Sequence, residues 1–205
     1  MRLVFFGTPA FAVPSLRALL DAGHDVAAVI TQPDRPQGRS RSQLVPPPVK
    51  EIALAHRIPV HQPERPAGDL FAETLRRAQV DLGVVVAYGH ILRPAILAVP
   101  ELGMINVHAS LLPRWRGAAP VQAAILAGDR VTGVSIMRME AGLDSGPVLL
   151  RATTPLGDEE TAATLTERLA RLGADTLVEA LERVAGGGAP AEPQDEAAAT
   201  LAPKV

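Results

Sequence analysis

RLVFFGTPAFAVPSLRALLDAGHDVAAVIT, Arg2 to Thr31, is the stretch from which the fold can be read. Arg2 to Phe6 is an apolar run of strand length, and Gly7-Thr8-Pro9 breaks it with a tight turn that sets Pro near a helix start. Ala10 to Ala22 then puts Phe11, Val13, Leu16 and Leu19 or Leu20 on one helical side. Gly23 stops that helix, and Val26 to Thr31 is the next strand. Strand, helix and strand in close succession form a βαβ unit, and its right-handed crossover makes the two strands parallel. Gly7 is followed by Pro9, with no G-x-G-x-x-G, so the pyrophosphate cradle of a dinucleotide reader is missing.

The same alternation continues outward. Val49 to His56 reads as a helix, Pro59 to His61 as a short strand and Asp69 to Ala78 as another helix. Leu82 to Ala87 (LGVVVA) is continuously apolar, as a parallel strand covered on both faces must be. It runs into Tyr88-Gly89-His90-Ile91-Leu92 at the carboxyl edge, where open α/β sheets bind ligands. Gly103 to His108 alternates with the period of a strand, so Asn106 and His108 leave the same face. Ala109 to Gly117 is a loop, Pro120 to Leu126 a helix closing at Gly128, and Val131 to Arg138 a strand. After the Gly-punctuated loop Glu140 to Gly146 come a strand, Pro147 to Ala152, and a Leu- and Ala-rich helix, Glu159 to Val184. The expected fold is α/β, an open and mostly parallel Rossmann-like sheet with helices on both faces, over residues 1–185. Residues 186–205, GGGAPAEPQDEAAATLAPKV, read as a linker or C-terminal tail.

Composition narrows the chemistry. With 47% hydrophobic residues the chain is globular, and 3% aromatics imply a core of small aliphatic side chains. A net charge of −2 gives no bulk attraction to nucleic acid, so RNA contact requires a local basic patch. Absence of cysteine excludes a thiolate nucleophile, a disulfide and a cysteine-ligated metal, and the five histidines lack ligand spacing. No metal is expected. Leu3 to Phe6 is too short for an export signal and no apolar stretch reaches membrane-span length, so a cytoplasmic protein without membrane contact is expected. One segment departs from the average. Thr31 to Lys50, TQPDRPQGRSRSQLVPPPVK, carries Arg35, Arg39, Arg41 and Lys50 against Asp34 alone, and is punctuated by Pro33, Pro36 and Gly38. Composition by itself gives a long solvated loop there, with Pro46-Pro47-Pro48 extended and stiff.

Asn106 and His108, an amide and an imidazole together at a strand end, suit polarising a carbonyl oxygen, although either residue alone is more often structural. The wider stretch GMINVHASLLPRWRGAAP, Gly103 to Pro120, resembles the catalytic segment of methionyl-tRNA formyltransferases, within the wider group of enzymes that use 10-formyltetrahydrofolate. TGVSIMRMEAGLDSGPVL resembles that family's segment bearing a third catalytic residue, which falls on Asp144. VVVAYG resembles its pterin wall, which implies folate contacts at Ala87, Tyr88, Gly89 and Leu92, and at Ser110, Leu111, Leu112 and Pro113 of the catalytic segment. TQPDRPQGR followed by PVK resembles its basic tRNA-gripping insertion, with Arg39 at the acceptor end and Arg35, Arg41 and Lys50 on phosphates. Ser40-Arg41-Ser42-Gln43 stands where the family has a Gly and a basic run.

The resemblance implies transfer of a formyl group from 10-formyltetrahydrofolate to the α-amine of initiator methionyl-tRNA for translation initiation, without ATP or metal. In that chemistry Asn106 and protonated His108 stabilise the oxyanion and Asp144 orients the ring and helps move the proton. The family continues into a C-terminal β-barrel, for which 205 residues leave no room. Two other functions share parts of the pattern. A superfamily formyltransferase acting on a small amine would keep Asn106, His108 and Asp144 without needing Thr31 to Lys50. A non-catalytic folate- or nucleotide-binding domain would not need all three.

Overall fold

A computed structural model of the chain describes residues 1–37, 43–187 and 190–204. It divides into two compact units, Met1–Met104 and Ile105–Val205.

In the first unit, β1 (Arg2–Gly7) is buried from Leu3 onward. A 3-10 turn (Ala10–Ala12) precedes α1 (Val13–Asp21), so the expected single helix begins in a tighter turn after Pro9. Leu16, Leu19 and Ala12 face the core. Gly23, at φ +76°, ends α1 in a Schellman motif: its N–H donates to the Leu20 carbonyl and that of His24 to Leu19. This turn feeds β2 (Asp25–Ile30). Then come β3 (Arg35–Gln37), β4 (Gln43–Val45), α2 (Pro48–Ala55), β5 (Val60–His61), α3 (Asp69–Arg77), β6 (Leu82–Val86) and α4 (Pro94–Leu97). β2 and β6 flank β1 and β5 lies outside β2, all parallel, as the βαβ reading requires. Every residue of β6 is buried, so both its faces are covered. The segment Thr31 to Lys50 corrects its expectation: β3 and β4 pair antiparallel, Arg35 opposite Val45, and Pro48 opens a helix. Alternation was hidden there because each strand is three residues long and β3 holds Arg35 and Pro36. Arg39 and Arg41 lie outside the described residues.

In the second unit, β7 (Met104–His108) enters from the boundary and pairs antiparallel with β9 (Val131–Arg138), which pairs antiparallel with β10 (Val148–Pro155). Between them lie β8 (Arg116–Gly117) and α5 (Pro120–Leu126). α6 (Ala162–Ala185) packs on β9 and β10 through Leu165, Leu169, Leu177 and Leu181. It starts later than Glu159 because Thr161 is the N-cap, its hydroxyl accepting the Thr164 N–H at 3.2 Å. Gly173 lets α6 approach β7, since a Cβ there would meet Val107 at 2.8 Å. The segment after 186 is docked: Glu192 exchanges both backbone hydrogen bonds with Val148 at 2.8 Å. β11 (Leu201–Ala202) runs parallel to β8. No helix among the described residues is long and apolar enough to cross a membrane.

Candidate active site

In the second unit, β7 carries Asn106 opposite Met137 and His108 opposite Ser135. The strand period directs both side chains to one face. His108 is 6% exposed, and its Nε2 lies 2.8 Å from the Trp115 carbonyl oxygen. A carbonyl only accepts, so Nε2 carries the hydrogen and the ring's tautomer is fixed. Nδ1 faces Asp144, with Oδ2 at 3.6 Å. The same Oδ2 accepts the Gly117 N–H at 2.9 Å. Imidazole and carboxylate, 36 positions apart in sequence, therefore stand side by side. Asn106 is half-buried and has no side-chain hydrogen bond to another described residue, which leaves its amide able to donate outward.

Two conformations brace this pair. Trp115 (φ +64°) and Asp144 (φ +47°) both occupy the left-handed region, which costs a non-glycine residue about 1 kcal/mol or more. Trp115 is held by its neighbours on every side. Its Nε1–H donates to Asp129 Oδ2 at 2.7 Å, its N–H to Thr200 Oγ1 at 2.9 Å, and the Arg114 guanidinium sits 4.3 Å from the ring centroid. Asp129 also takes two hydrogen bonds from Arg114, at 3.1 and 2.6 Å. Those bonds, with the indole bond adding to them, hold the Asp129 carboxyl below the usual aspartate range. Gly128 (φ +68°) delivers Asp129: it ends α5 with its own N–H on Ile125 and the Asp129 N–H on Ala124.

Asp144 is braced by the docked segment. The Gln194 amide Nε2 donates to the Asp144 carbonyl at 2.8 Å and to the Gly146 carbonyl at 2.6 Å. Gln194 Oε1 accepts from Arg116 Nε at 3.0 Å, and Arg116 makes a bidentate pair with Glu196 at 2.9 and 2.8 Å. The hydrogen bond to Glu196, more than the nearby Asp144 charge, holds the buried Arg116 above its ordinary range.

The residues expected to contact folate divide between the units. In the first, Ala87 (φ +47°) and Gly89 (φ +83°) are exposed turns that present backbone groups to solvent, while Leu92 is buried. Tyr88 is 2% exposed, and its carbonyl accepts from Thr8 Oγ1 at 3.1 Å and Gln32 Nε2 at 3.0 Å. Burial pushes the Tyr88 hydroxyl up to about 12. A Cβ on Gly89 would meet Gln32 Nε2 at 2.4 Å. In the second unit, Ser110 is fully buried and donates to the Arg114 carbonyl at 2.6 Å. The Leu112 N–H goes to Ser135, its carbonyl takes Arg151 Nε, and the Pro113 carbonyl takes the Thr200 N–H. These polar groups of Leu112 and Pro113 are committed internally, which leaves the two side chains for apolar contact.

The basic candidates that are described have partners. Arg35 donates to Gln32 Oε1, and Lys50 bonds both Asp34 oxygens at 2.8 Å. A hollow of about 140 Å³ adjoins Arg35, lined also by Thr8, Gln32 and the Pro46–Pro48 run. No group of three or more His, Asp or Glu placed to hold a metal occurs among the described residues. Asp129, Gly117, Gln194 and the Trp115 carbonyl were not legible as site residues. Two act through backbone atoms, and the others through partners far along the chain. The Gly after α5 was the one available signal.

The formyl transferase family model matches residues 1–181. The chain belongs to the formyl transferase family. Methionyl-tRNA formyltransferase from Halorhodospira halophila is 56% identical to it over 204 residues, covering 100% of this chain and 65% of that protein. The protein of that name from Methylococcus capsulatus is 54% identical over 205 residues, covering 100% of this chain and 66% of the other. The chain thus spans about 65% of the length of these curated relatives. Among solved structures, glycinamide ribonucleotide transformylase 1 from Symbiobacterium toebii has a TM-score of 0.77 at 24% identity, covering 95% of this chain and 94% of that one. The N-formyltransferase from Helicobacter canadensis, solved with folinic acid and dTDP-3-aminofucose, has a TM-score of 0.76 at 19% identity over 98% and 70% of the two chains. At these identities the likeness is one of fold, an α/β fold with a mostly parallel sheet.

Proposed function

We propose that this formyl transferase family member moves the formyl group of 10-formyltetrahydrofolate to the α-amine of initiator methionyl-tRNA, in the cytoplasm, for translation initiation. The substrates follow from relatives named methionyl-tRNA formyltransferase at more than 50% identity. One geometric observation carries the chemistry: His108 is fixed between the Trp115 carbonyl and Asp144, on the strand face that also bears an uncommitted Asn106 amide.

The folate supplies an activated formyl carbon. A bond forms from the amine nitrogen to that carbon, the bond to the folate nitrogen breaks, and the proton lost by the amine ends on the leaving nitrogen. Asn106 donates its N–H to the formyl oxygen as negative charge develops there. His108 keeps its Nε2–H on Trp115, so its contribution is made from the Nδ1 side, next to Asp144. Asp144 Oδ2 accepts the Gly117 N–H and lies 3.6 Å from the ring, and the Asp144 carboxylate is assigned to take the amine proton and pass it to the leaving nitrogen. Ala87 and Gly89 through backbone groups, and Tyr88, Leu92 and Ser110 to Pro113 through shape and apolar contact, are assigned to the folate. Arg35, Arg39, Arg41 and Lys50 are assigned to the acceptor arm, Arg39 foremost.

The direct test mixes the protein with 10-formyltetrahydrofolate and charged methionyl-tRNA and assays N-formylmethionine. Product formation with the tRNA and none with small amines is expected. Transfer only to a small amine would overturn the tRNA assignment. Arg39→Ala should raise the KM for tRNA and leave that for folate unchanged; an unaltered tRNA KM would remove the loop from recognition.

A further inference from the structure

We infer that Gln194 is a positioning residue for Asp144, acting from the segment that the sequence presents as a tail. The inference extends the formyl-transfer reading, and its kinetic arm rests on it.

Asp144 sits in a loop whose preceding residues, Glu140 to Leu143, are exposed, and it holds a left-handed conformation without being glycine. Something outside the loop must hold it there. The carboxylate has Gly117, but the main chain on either side of Ser145 is held by one side chain, Gln194, whose Nε2 reaches the carbonyls of Asp144 and Gly146. Both hydrogens of that amide are therefore used. Its oxygen takes Arg116 Nε, which excludes the flipped amide because two sets of N–H donors would then face each other. Arg116 is itself immobilised. It is buried, paired in a fork with Glu196, and its N–H donates to the Thr200 carbonyl at 2.9 Å. Glutamine is the residue that supplies two donors and one acceptor at this reach. Glutamate would set an oxygen against two carbonyls, and asparagine falls one methylene short. With Oδ2 of Asp144 3.6 Å from His108 Nδ1, a shift of about 1 Å in this loop separates the pair, and misplacement on that scale costs about a hundredfold in rate.

The test compares Gln194→Met, Gln194→Asn and Asp195→Ala in the full chain. Asp195 caps the nearby 3-10 turn through the Ala197 N–H and makes no side-chain hydrogen bond to the Asp144 loop among the described residues, so it controls for general loosening. Two readouts are taken: amide exchange at Gly117 in the free protein, and kcat and KM for formyl transfer. Both Gln194 variants should speed Gly117 exchange by about tenfold and lower kcat by roughly ten- to a hundredfold, with KM for either substrate within about threefold. Asp195→Ala should change neither. Unaltered Gly117 exchange and kcat in either folded Gln194 variant, or equal losses in Asp195→Ala, would overturn the inference. Should the methionine variant fail to fold, the asparagine variant decides it. Should the unaltered protein transfer no formyl group, the functional reading fails, and exchange at Gly117 still decides whether Gln194 positions Asp144.

Discussion

Replacing Asp129 by asparagine tests whether the tryptophan loop is held as described. Three N–H groups converge on that carboxylate, from Trp115 at 2.7 Å and from Arg114 at 3.1 and 2.6 Å. An asparagine keeps one acceptor oxygen and turns an NH2 toward the remaining donors. The Arg114 side chain is 46% exposed, so its pair with Asp129 counts for no more than about 1 kcal/mol. The indole bond is half-buried and made to a charged acceptor, which is worth about 1.5–3 kcal/mol. The sum, roughly 1.5–4 kcal/mol, corresponds to a fall in Tm of about 3–16 °C for a chain of this size. Trp115 is the single tryptophan, so its fluorescence reports this loop alone. Asp129→Asn should red-shift that emission and lower Tm, and it should lower kcat because His108 hangs on the Trp115 carbonyl. The pH dependence has a definite sign. A carboxyl held below 3.8 in the fold contributes stability that is complete above 3.8 and is lost as pH falls through the lower folded value. Wild-type emission should therefore change in acid below 3.8, and the Asn variant should lack that transition. An Asp129→Asn protein with unchanged Tm and unchanged emission would refute the account.

Other substitutions bear on the chemistry and the packing. Asn106→Ala should reduce kcat by about a hundredfold or more with Tm nearly unchanged; near-normal turnover would remove the amide from the reaction. Asp144→Asn keeps an oxygen for the Gly117 N–H but withdraws the charge beside His108, so kcat should drop on the order of a hundredfold. A kcat within fivefold of wild type would show the carboxylate to be structural. Gly133→Ala would set a Cβ 2.0 Å from the Ala152 carbonyl oxygen and 2.7 Å from Leu111. β9 and β10 must part to admit it, at a cost of about 3 kcal/mol or more, and thermal denaturation that matches wild type would contradict the register given for that pair.

The regular elements were legible because their signals are local. An apolar run as short and Val-rich as Leu82 to Val86 reads as a covered strand, and Gly23 and Gly128 end their helices through bonds confined to a few residues. Asn106 and His108 stood out as a strand-end pair, their role and that of Asp144 came through resemblance, and the structure sets His108 3.6 Å from Asp144. What was missed is non-local. Gln194 looks like part of a polar tail because its three partners, Arg116, Asp144 and Gly146, lie 78, 50 and 48 positions away. Neither periodicity nor composition carries information over such distances. β8 and β11 are two residues each, too short for an alternation to exist.

The parallel pairing of β8 with β11 has a consequence for biosynthesis. Trp115 and Thr200 are 85 positions apart, so the loop that fixes His108 waits for the ribosome to deliver its partner. At roughly 5–20 residues per second that delay is about 4–17 s, during which β7 and β9 can already be paired while the histidine carbonyl anchor is still unsecured. Nascent chains halted before Thr200 should accordingly exchange the Trp115 backbone amide freely, and those released beyond it should protect it.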